Sequence, residues 1–538
     1  MKVKKLVILI TSSLCMLFLF GITSALANTV VFNLQETSKS IDPQLVTGIT
    51  GSQVDVACME GLTAVKKDGV TVPAGAKSWT ISKNGTVYTF HLRKNAKWSN
   101  GEPVTANDYL FGMKRALMPS TAAQYAYFLY NVKNAKAYNL GKIKDFSKVG
   151  IKVINKYELQ ITLAGPCTYF LQLVSSGTTY PCNEKFFNKV KSSYALTPKD
   201  MLYNGPWEMT QWITGAGGKF VFKKNPYYWD KKNVKIDNLI FKLINNPNTS
   251  AIMFKTNQLD LTSITSNQLS QFEFNPQYKN EIHYIPNGGL WYLEFNMHNK
   301  ILKNQKIRRA MTLAINRDQL CKYVLKNHSK PLFAFIPPGT KGPDGKTFRE
   351  AYGNYNIKEN IKEAKKLLAE GKKELGITGP IHLQLLLNQG GPNQKVCVFV
   401  QQQLKKNLGI DITLDVETFQ GRLVKMQQHN FAICYAGWIP DYNDPMTYFD
   451  IFISGGGNND PQFSNKEYDN LISKAKICPN ENKRMEYMHK AEEIFMKANP
   501  IAPLFVPYKI WLQKKDLKNV EFTQITPAVN LRWAYVKK

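Results

Sequence analysis

Three apolar runs, Ile381-His382-Leu383-Gln384-Leu385-Leu386-Leu387, Ile410-Asp411-Ile412-Thr413-Leu414 and Phe431-Ala432-Ile433-Cys434-Tyr435-Ala436, read as strands and decide the fold class. Between the first two, Val396, Phe399, Val400 and Leu404 recur at the three- and four-residue spacing of one helix face. Ahead of them Ile361, Ala364, Leu367 and Leu368 make another such face. A strand-helix-strand unit of this size implies parallel pairing through a right-handed crossover. Ligands of such sheets sit in crevices beyond the carboxyl ends of strands. The segment that leaves the last strand after Ala436 therefore draws the eye first.

Outward from this block the chain keeps alternating strand and helix signals, which predicts mixed α/β domains. Asn84-Gly85 separates Trp79–Ile81 from the alternating run Val87-Tyr88-Thr89-Phe90-His91-Leu92, a hairpin signal because both turn residues tolerate positive φ. Thr105 with Asp108 three residues on reads as a helix start leading toward Leu117. Tyr157 to Leu163 alternates with period two, as a half-buried strand does. No internal repeat or low-complexity tract stands out. A length of 538 residues suggests roughly three to four domains at about 150 residues each.

Hydrophobic residues at 43% and charged residues at 20% describe a folded chain, and exclude both disorder and a membrane transporter. The formal net charge is +30, but its lysines are spread along the chain with no basic tail or Arg-rich block. That pattern fits a solvated surface and no nucleic-acid partner, while the charge still allows long-range attraction of acidic partners or anionic envelope surfaces. Lys2, Lys4 and Lys5, the apolar run Leu6–Ile22 and the small-x-small trio Ala25-Leu26-Ala27 predict a cleaved secretory signal over residues 1–27. Cys15, preceded by Ser12-Ser13-Leu14, is a poor lipoprotein site. No later stretch has the roughly 18 apolar residues a membrane span needs. The mature protein is expected to be periplasmic and not embedded in the membrane.

Seven cysteines follow the leader: Cys58, Cys167, Cys182, Cys321, Cys397, Cys434 and Cys478. None is in C-x-x-C spacing, so neither a zinc ribbon nor a thioredoxin-like site is supported, and the odd count leaves at least one without a partner in its own chain. Cys167 and Cys182 flank one short segment, and connectivity stays open. Catalytic patterns are missing too: there is no H-E-x-x-H and no G-x-S-x-G. Gly215-Ala216-Gly217-Gly218-Lys219-Phe220 lacks both the first glycine and the hydroxyl of a phosphate loop and reads as a surface turn. A binding protein is favoured over an enzyme, with no catalytic residue, metal or cofactor assigned.

A series of motifs then runs in order along the whole mature chain. Pro73-Ala74-Gly75-Ala76-Lys77-Ser78-Trp79, Tyr88-Thr89-Phe90 and Leu92-Arg93 lead to Lys97-Trp98-Ser99-Asn100-Gly101 and Pro103-Val104-Thr105-Ala106-Asn107-Asp108. Asn204-Gly205-Pro206-Trp207, Asn225-Pro226-Tyr227-Tyr228-Trp229, Arg308-Arg309-Ala310 and Ile315-Asn316-Arg317 follow, and the series ends on Ala436-Gly437-Trp438-Ile439-Pro440-Asp441-Tyr442-Asn443-Asp444-Pro445. This resembles the family of extracytoplasmic solute-binding proteins that feed ABC peptide and nickel importers, and its last motif is most similar to the oligopeptide-binding branch. The resemblance implies a two-lobed periplasmic-binding-protein-like clamp with an extra α/β domain. By analogy the first lobe combines 28–59, 184–287 and 509–538, the extra domain is 60–183, and the second lobe is 288–508.

The same resemblance implies a monomeric receptor whose partners are an oligopeptide ligand and the permease subunits of an ABC importer. The peptide lies extended between the lobes and bonds through its main chain. Ile49 and Gly437 match positions whose main chain serves the peptide, and Asp441 matches the carboxylate for its free amino terminus. Tyr125, Phe419 and Trp438 match aromatic walls of hydrated side-chain pockets. Without the resemblance, Trp438 and Phe419 fit an ordinary core and Asp441 fits a turn cap. Tyr127 and Tyr130 stand close enough in sequence to take the place of Tyr125.

Departures from the family pattern cluster at the other end of the expected ligand. Tyr435, Asn393 and Leu325 stand where basic groups are expected to meet the peptide carboxylate, with Lys326 one residue away. Thr47 replaces an acidic residue near the entrance, Pro507 an aromatic, and Gly289 and Ile439 a cysteine pair. The expectation is a receptor that reads the free amine and tolerates varied carboxyl ends. The other readings are a different cargo on the same fold (a cell-wall peptide, haem or a nickel chelate), a secreted enzyme, or a chaperone-like protein.

Overall fold

The computed structural model describes residues 28–537 apart from 36, 39, 67–68, 216, 391 and 525–527, so the expected leader and Ala216 of the glycine-rich turn lie outside the described residues. The block around 381–438 folds as its periodicity predicts. His382–Asn388 and Asp411–Glu417 pair in parallel over seven residues, and Leu385 and Leu386 pair in parallel with Ile433 and Cys434 of the strand Ile433–Trp438. The helix Asn393–Leu408 buries Val396, Cys397, Val400 and Leu404. It stops at Gly409, whose φ of +69° turns the chain back toward the sheet. Each strand starts one or two residues later than its apolar run.

Two large sheets organise the molecule. The six-stranded sheet runs, in spatial order, Lys330–Pro331, Ile501–Val506, Leu290–Phe295, Ile433–Trp438, His382–Asn388 and Asp411–Glu417. The seven-stranded sheet runs Ile282–Pro286, Tyr508–Gln513, Leu261–Ile264, Thr29–Asn33, Asn238–Lys242, Lys219–Lys224 and Trp207–Ile213. The chain crosses between them twice, from Pro286 to Leu290 and from Val506 to Tyr508. The two crossings touch, since the Asn287 amide donates to the Pro507 carbonyl at 3.2 Å. Two lobes joined by two short adjacent strands of chain are the geometry of a hinge.

A four-stranded antiparallel sheet, Ala76–Ile81, Val87–Leu92, Glu158–Thr162 and Ile151–Asn155, forms the centre of the extra domain. Asn84-Gly85 makes the expected turn, with Gly85 at φ +70° and the Asn84 side chain accepting from Thr86. Thr105 and Asp108 form the expected capping box of the helix Ala106–Leu117. All seven described cysteines are free thiols, Cys167 and Cys182 included. Among the described residues no helix is long and apolar enough to cross a membrane.

Candidate functional site

The strand Ile433–Trp438 ends at the edge of a cavity of about 300 Å³, and the segment beyond it supplies Ile439 and Asp441 to the wall. Thr47 and Ile49, at the start of the helix Ile49–Cys58, line the same cavity, as do Tyr125 from the extra domain and Asn530 and Arg532 from the chain's last segment. Both lobes and the extra domain therefore close around one space.

The 439–445 segment is held from three sides. Asp444 and Arg484, each 1% exposed, form a two-point ion pair at 2.8 and 2.6 Å. Tyr442 stacks on Tyr169, and the Asn443 amide donates to Gln172 Oε1 at 2.8 Å. The buried Thr447 hydroxyl accepts both the Asp441 amide and the Trp438 indole N–H at 3.3 Å. A turn-rich sequence is thus fixed in one shape, and the Asp441 side chain stands free of its own backbone. Its carboxylate accepts one neutral hydrogen bond, from Tyr127 Oη at 3.3 Å. Burial pushes its pKa up to about 6 against the lowering effect of that bond, and no basic side chain among the described residues offsets the burial.

Of the residues singled out from sequence, Thr47, Ile49, Tyr125 and Asp441 meet at the cavity. Gly437 and Trp438 lie just before it on the strand. Gly437 is a packing necessity, because a Cβ there would stand 2.6 Å from Trp291 Cδ2. Phe419 opens the helix Phe419–Gln427, 53% exposed and under the Arg422 guanidinium at 5.4 Å, away from the cavity wall. Tyr435 and Leu325 are each 2% exposed in the core of the second lobe. Asn393 starts the helix Asn393–Leu408 and donates to the Asn388 carbonyl. None of these last three lines the cavity, and the neighbouring Lys326 is exposed at φ +51°.

Sequence reasoning passed over Asp55, Arg532 and the hydroxyls of Ser175, Ser176 and Thr178, which also line the cavity. It also passed over Thr447. One signal was available: Asp55 interrupts an otherwise apolar and small-residue helix face with a charge.

Two sheet lobes on a double hinge, with a third domain closing over a cavity that holds an unpaired carboxylate, define a clamp-type ligand-binding protein. The chain belongs to the bacterial extracellular solute-binding proteins, family 5, matching that family over residues 70–460. It is 34% identical over 504 residues to the dipeptide-binding protein DppE of Bacillus subtilis, covering 93% of this chain and 91% of the relative. It is likewise 34% identical over 515 residues to the oligopeptide-binding protein OppA of the same organism, covering 95% and 93%. Among solved structures it is similar to Listeria monocytogenes OppA bound to peptide, with a TM-score of 0.78 at 32% identity over 95% of this chain and 99% of that one.

Proposed function

We propose that this protein is the substrate-binding receptor of an ABC importer, working outside the cytoplasm as a monomer that captures extended oligopeptides and releases them unchanged to the permease. One observation carries the reading: Asp441 is a part-buried carboxylate in a cavity between the lobes, with a neutral tyrosine as its hydrogen-bond donor and, among the described residues, no cation beside it. A peptide ammonium supplies the missing charge, and a charge-assisted bond in such a place is shorter and stronger than a neutral one.

The extended main chain of the ligand would pair with the backbone at Ile49 and Gly437 as an added strand does, independent of side-chain identity. Its side chains would enter water-filled space, which adapts to many shapes. The first lobe is 28–59 with 184–287 and 509–538, the extra domain 60–183 and the second lobe 288–508. This division is supported by the way the three sheets draw their strands from those segments, and closure would turn on the Asn287–Pro507 crossings. Because Tyr435, Asn393 and Leu325 stand away from the cavity wall, the carboxyl end of the ligand meets no fixed cation at those positions, and peptides of different length are accommodated.

Calorimetric titration of ligand-free protein with a pool of tri- to pentapeptides, beside the same pool with acetylated amino termini, tests the reading. Tight binding of the free-amine pool alone is expected. Equal binding of both pools would remove Asp441 from the mechanism, and no heat from either would remove the peptide.

A further inference from the structure

The chain carries a formal charge of +30, yet its cavity is acidic. Among the described residues that line it, the charged side chains are Asp55, Asp441 and Arg532. The Arg532 charge is already matched, since its Nη1 lies 2.9 Å from Glu60 Oε1. The nearby Asp42 is matched as well, with Arg115 Nη2 at 2.6 Å. Asp55 is left over. It is 2% exposed, and among the described residues its Oδ1 has no hydrogen-bond partner and no cation pairs with it.

The surroundings make room for this group. Asp55 projects from the helix Ile49–Cys58, and Gly177 of the extra domain comes so close that a Cβ there would stand 2.7 Å from Asp55 Oδ2. Ser175, Ser176 and Thr178 bring hydroxyls to the same part of the wall. A buried carboxyl without a partner is costly to the fold. A helix of small and apolar residues would be better served there by serine or alanine unless something arrives to use the acid.

We propose that Asp55 is the floor of a second cationic subsite, which takes the ammonium or guanidinium of a lysine or arginine side chain near the amino end of the bound peptide. The inference rests on the peptide reading above and adds a preference to it: Asp441 takes the terminal amine, and Asp55 takes a basic side chain of the same ligand. In the ligand-free protein, burial first and then Asp42 push the Asp55 carboxyl well above the usual range. Cys58 and Tyr180 are the other titratable groups facing it, and burial raises both, so neither supplies a positive charge. The arriving cation would therefore draw a proton off Asp55 into solvent as the ion pair forms.

The test compares tetrapeptides carrying lysine or its uncharged isostere norleucine at position one, two or three, titrated into wild type, Asp55→Asn and Asp55→Ser. Lysine is expected to beat norleucine by about tenfold or more at one position in wild type, the usual weight of a hydrogen bond to a charged group. That ratio should fall below about threefold in both variants, well under what one such bond is worth. Calorimetry in buffers of different ionisation heat should show more proton release with the lysine peptide than with its norleucine counterpart in wild type, and no such difference in Asp55→Asn. Thermal melting establishes that both variants are folded. Norleucine peptides that bind without any lysine advantage, or a lysine advantage that survives in both variants, would overturn the subsite alone. Failure of every peptide to bind would overturn the peptide reading with it.

Discussion

Tyr442 lies flat on Tyr169, with ring centroids 4.5 Å apart and planes within 1° of parallel. Tyr442 follows the strand Ile433–Trp438 of one lobe and is next in sequence to Asp441, and Tyr169 belongs to the extra domain, so the stack joins the two bodies. Such a contact acts as a latch, because it exists only when the two bodies are together. An aromatic pair adds about 0.5–1.5 kcal/mol beyond the area it buries. Replacing Tyr169 with Leu keeps most of the apolar bulk and removes the stack. Ligand dissociation should then speed up by about 2- to 10-fold, the same free energy read as a rate. Stopped-flow displacement measures it, and an unchanged off-rate would mean that the stack does not report closure.

Asp441 should trade stability for binding. Its carboxyl titrates near 6 in the folded protein against an ordinary 3.8. Between those values the folded state holds a proton that the unfolded state has lost, so this group's contribution to stability falls as pH rises through 6 and is least favourable at neutrality. Asp441→Asn removes that cost. At pH 7 the ligand-free variant should melt higher than wild type, by about 1 °C for each kcal/mol relieved in a chain of this length, while its affinity for free-amine peptides collapses. Differential scanning calorimetry beside the peptide titration checks both signs.

The same carboxyl sets the pH profile of binding. An ammonium needs the ionised carboxylate, so affinity should peak near pH 7, fall by about tenfold toward pH 5 as the folded group takes up its proton, and fall by about twofold toward pH 8 as the peptide amine loses its own. A flat profile for the free-amine series would place the amine elsewhere.

The Asp444–Arg484 pair should be the costliest single contact of the site segment to break. Arg484→Met leaves a carboxylate that is 1% exposed without its partner, a change expected to cost about 3–5 kcal/mol. The double variant Asp444→Leu/Arg484→Met should recover much of this, because no buried charge remains. Urea unfolding of the three variants measures the difference, and a double variant as unstable as the single one would show that packing of the 439–445 segment, and not charge, dominates.

Gly437→Ala should destabilise by about 1–3 kcal/mol through overpacking against Trp291. Trp291→Leu in the same chain should restore stability by opening the space. If Gly437→Ala folds normally yet binds peptide poorly, its role lies with the ligand and not with the indole.

Local rules carried far along this chain. The turn at Asn84-Gly85, the capping box of Thr105 and Asp108, and the strand-helix-strand block of 381–436 all depend on φ preferences or on period, and both are written in neighbouring residues. The expected α/β clamp with its extra domain follows from motifs spaced over the whole length. The site was only half legible. Thr47, Ile49, Tyr125 and Asp441 do converge, although Tyr435 and Leu325 turn into the second-lobe core. Successive residues of a strand face opposite ways, and nothing in a single run says which face meets the ligand. Tyr127 was visible as a neighbour of Tyr125, but that its hydroxyl reaches the Asp441 carboxylate was not.

The amino-acid sequence by itself pointed to the class of protein, through its mixed strand and helix order and a motif series that ends on the segment 436–445. Tertiary structure alone decided which charges remain unpaired. Asp42, Asp444 and Glu60 look no different from Asp55 and Asp441 in the sequence, yet the first three are met by Arg115, Arg484 and Arg532. Pairing depends on arginines 40 to hundreds of residues away arriving within a few ångströms, and burial then magnifies the consequence, since an unmatched charge costs little in water and much inside the protein. Among the described residues two carboxyl groups, Asp55 and Asp441, line the cavity without a cation beside them, a remainder set by the fold and not by any local run of sequence.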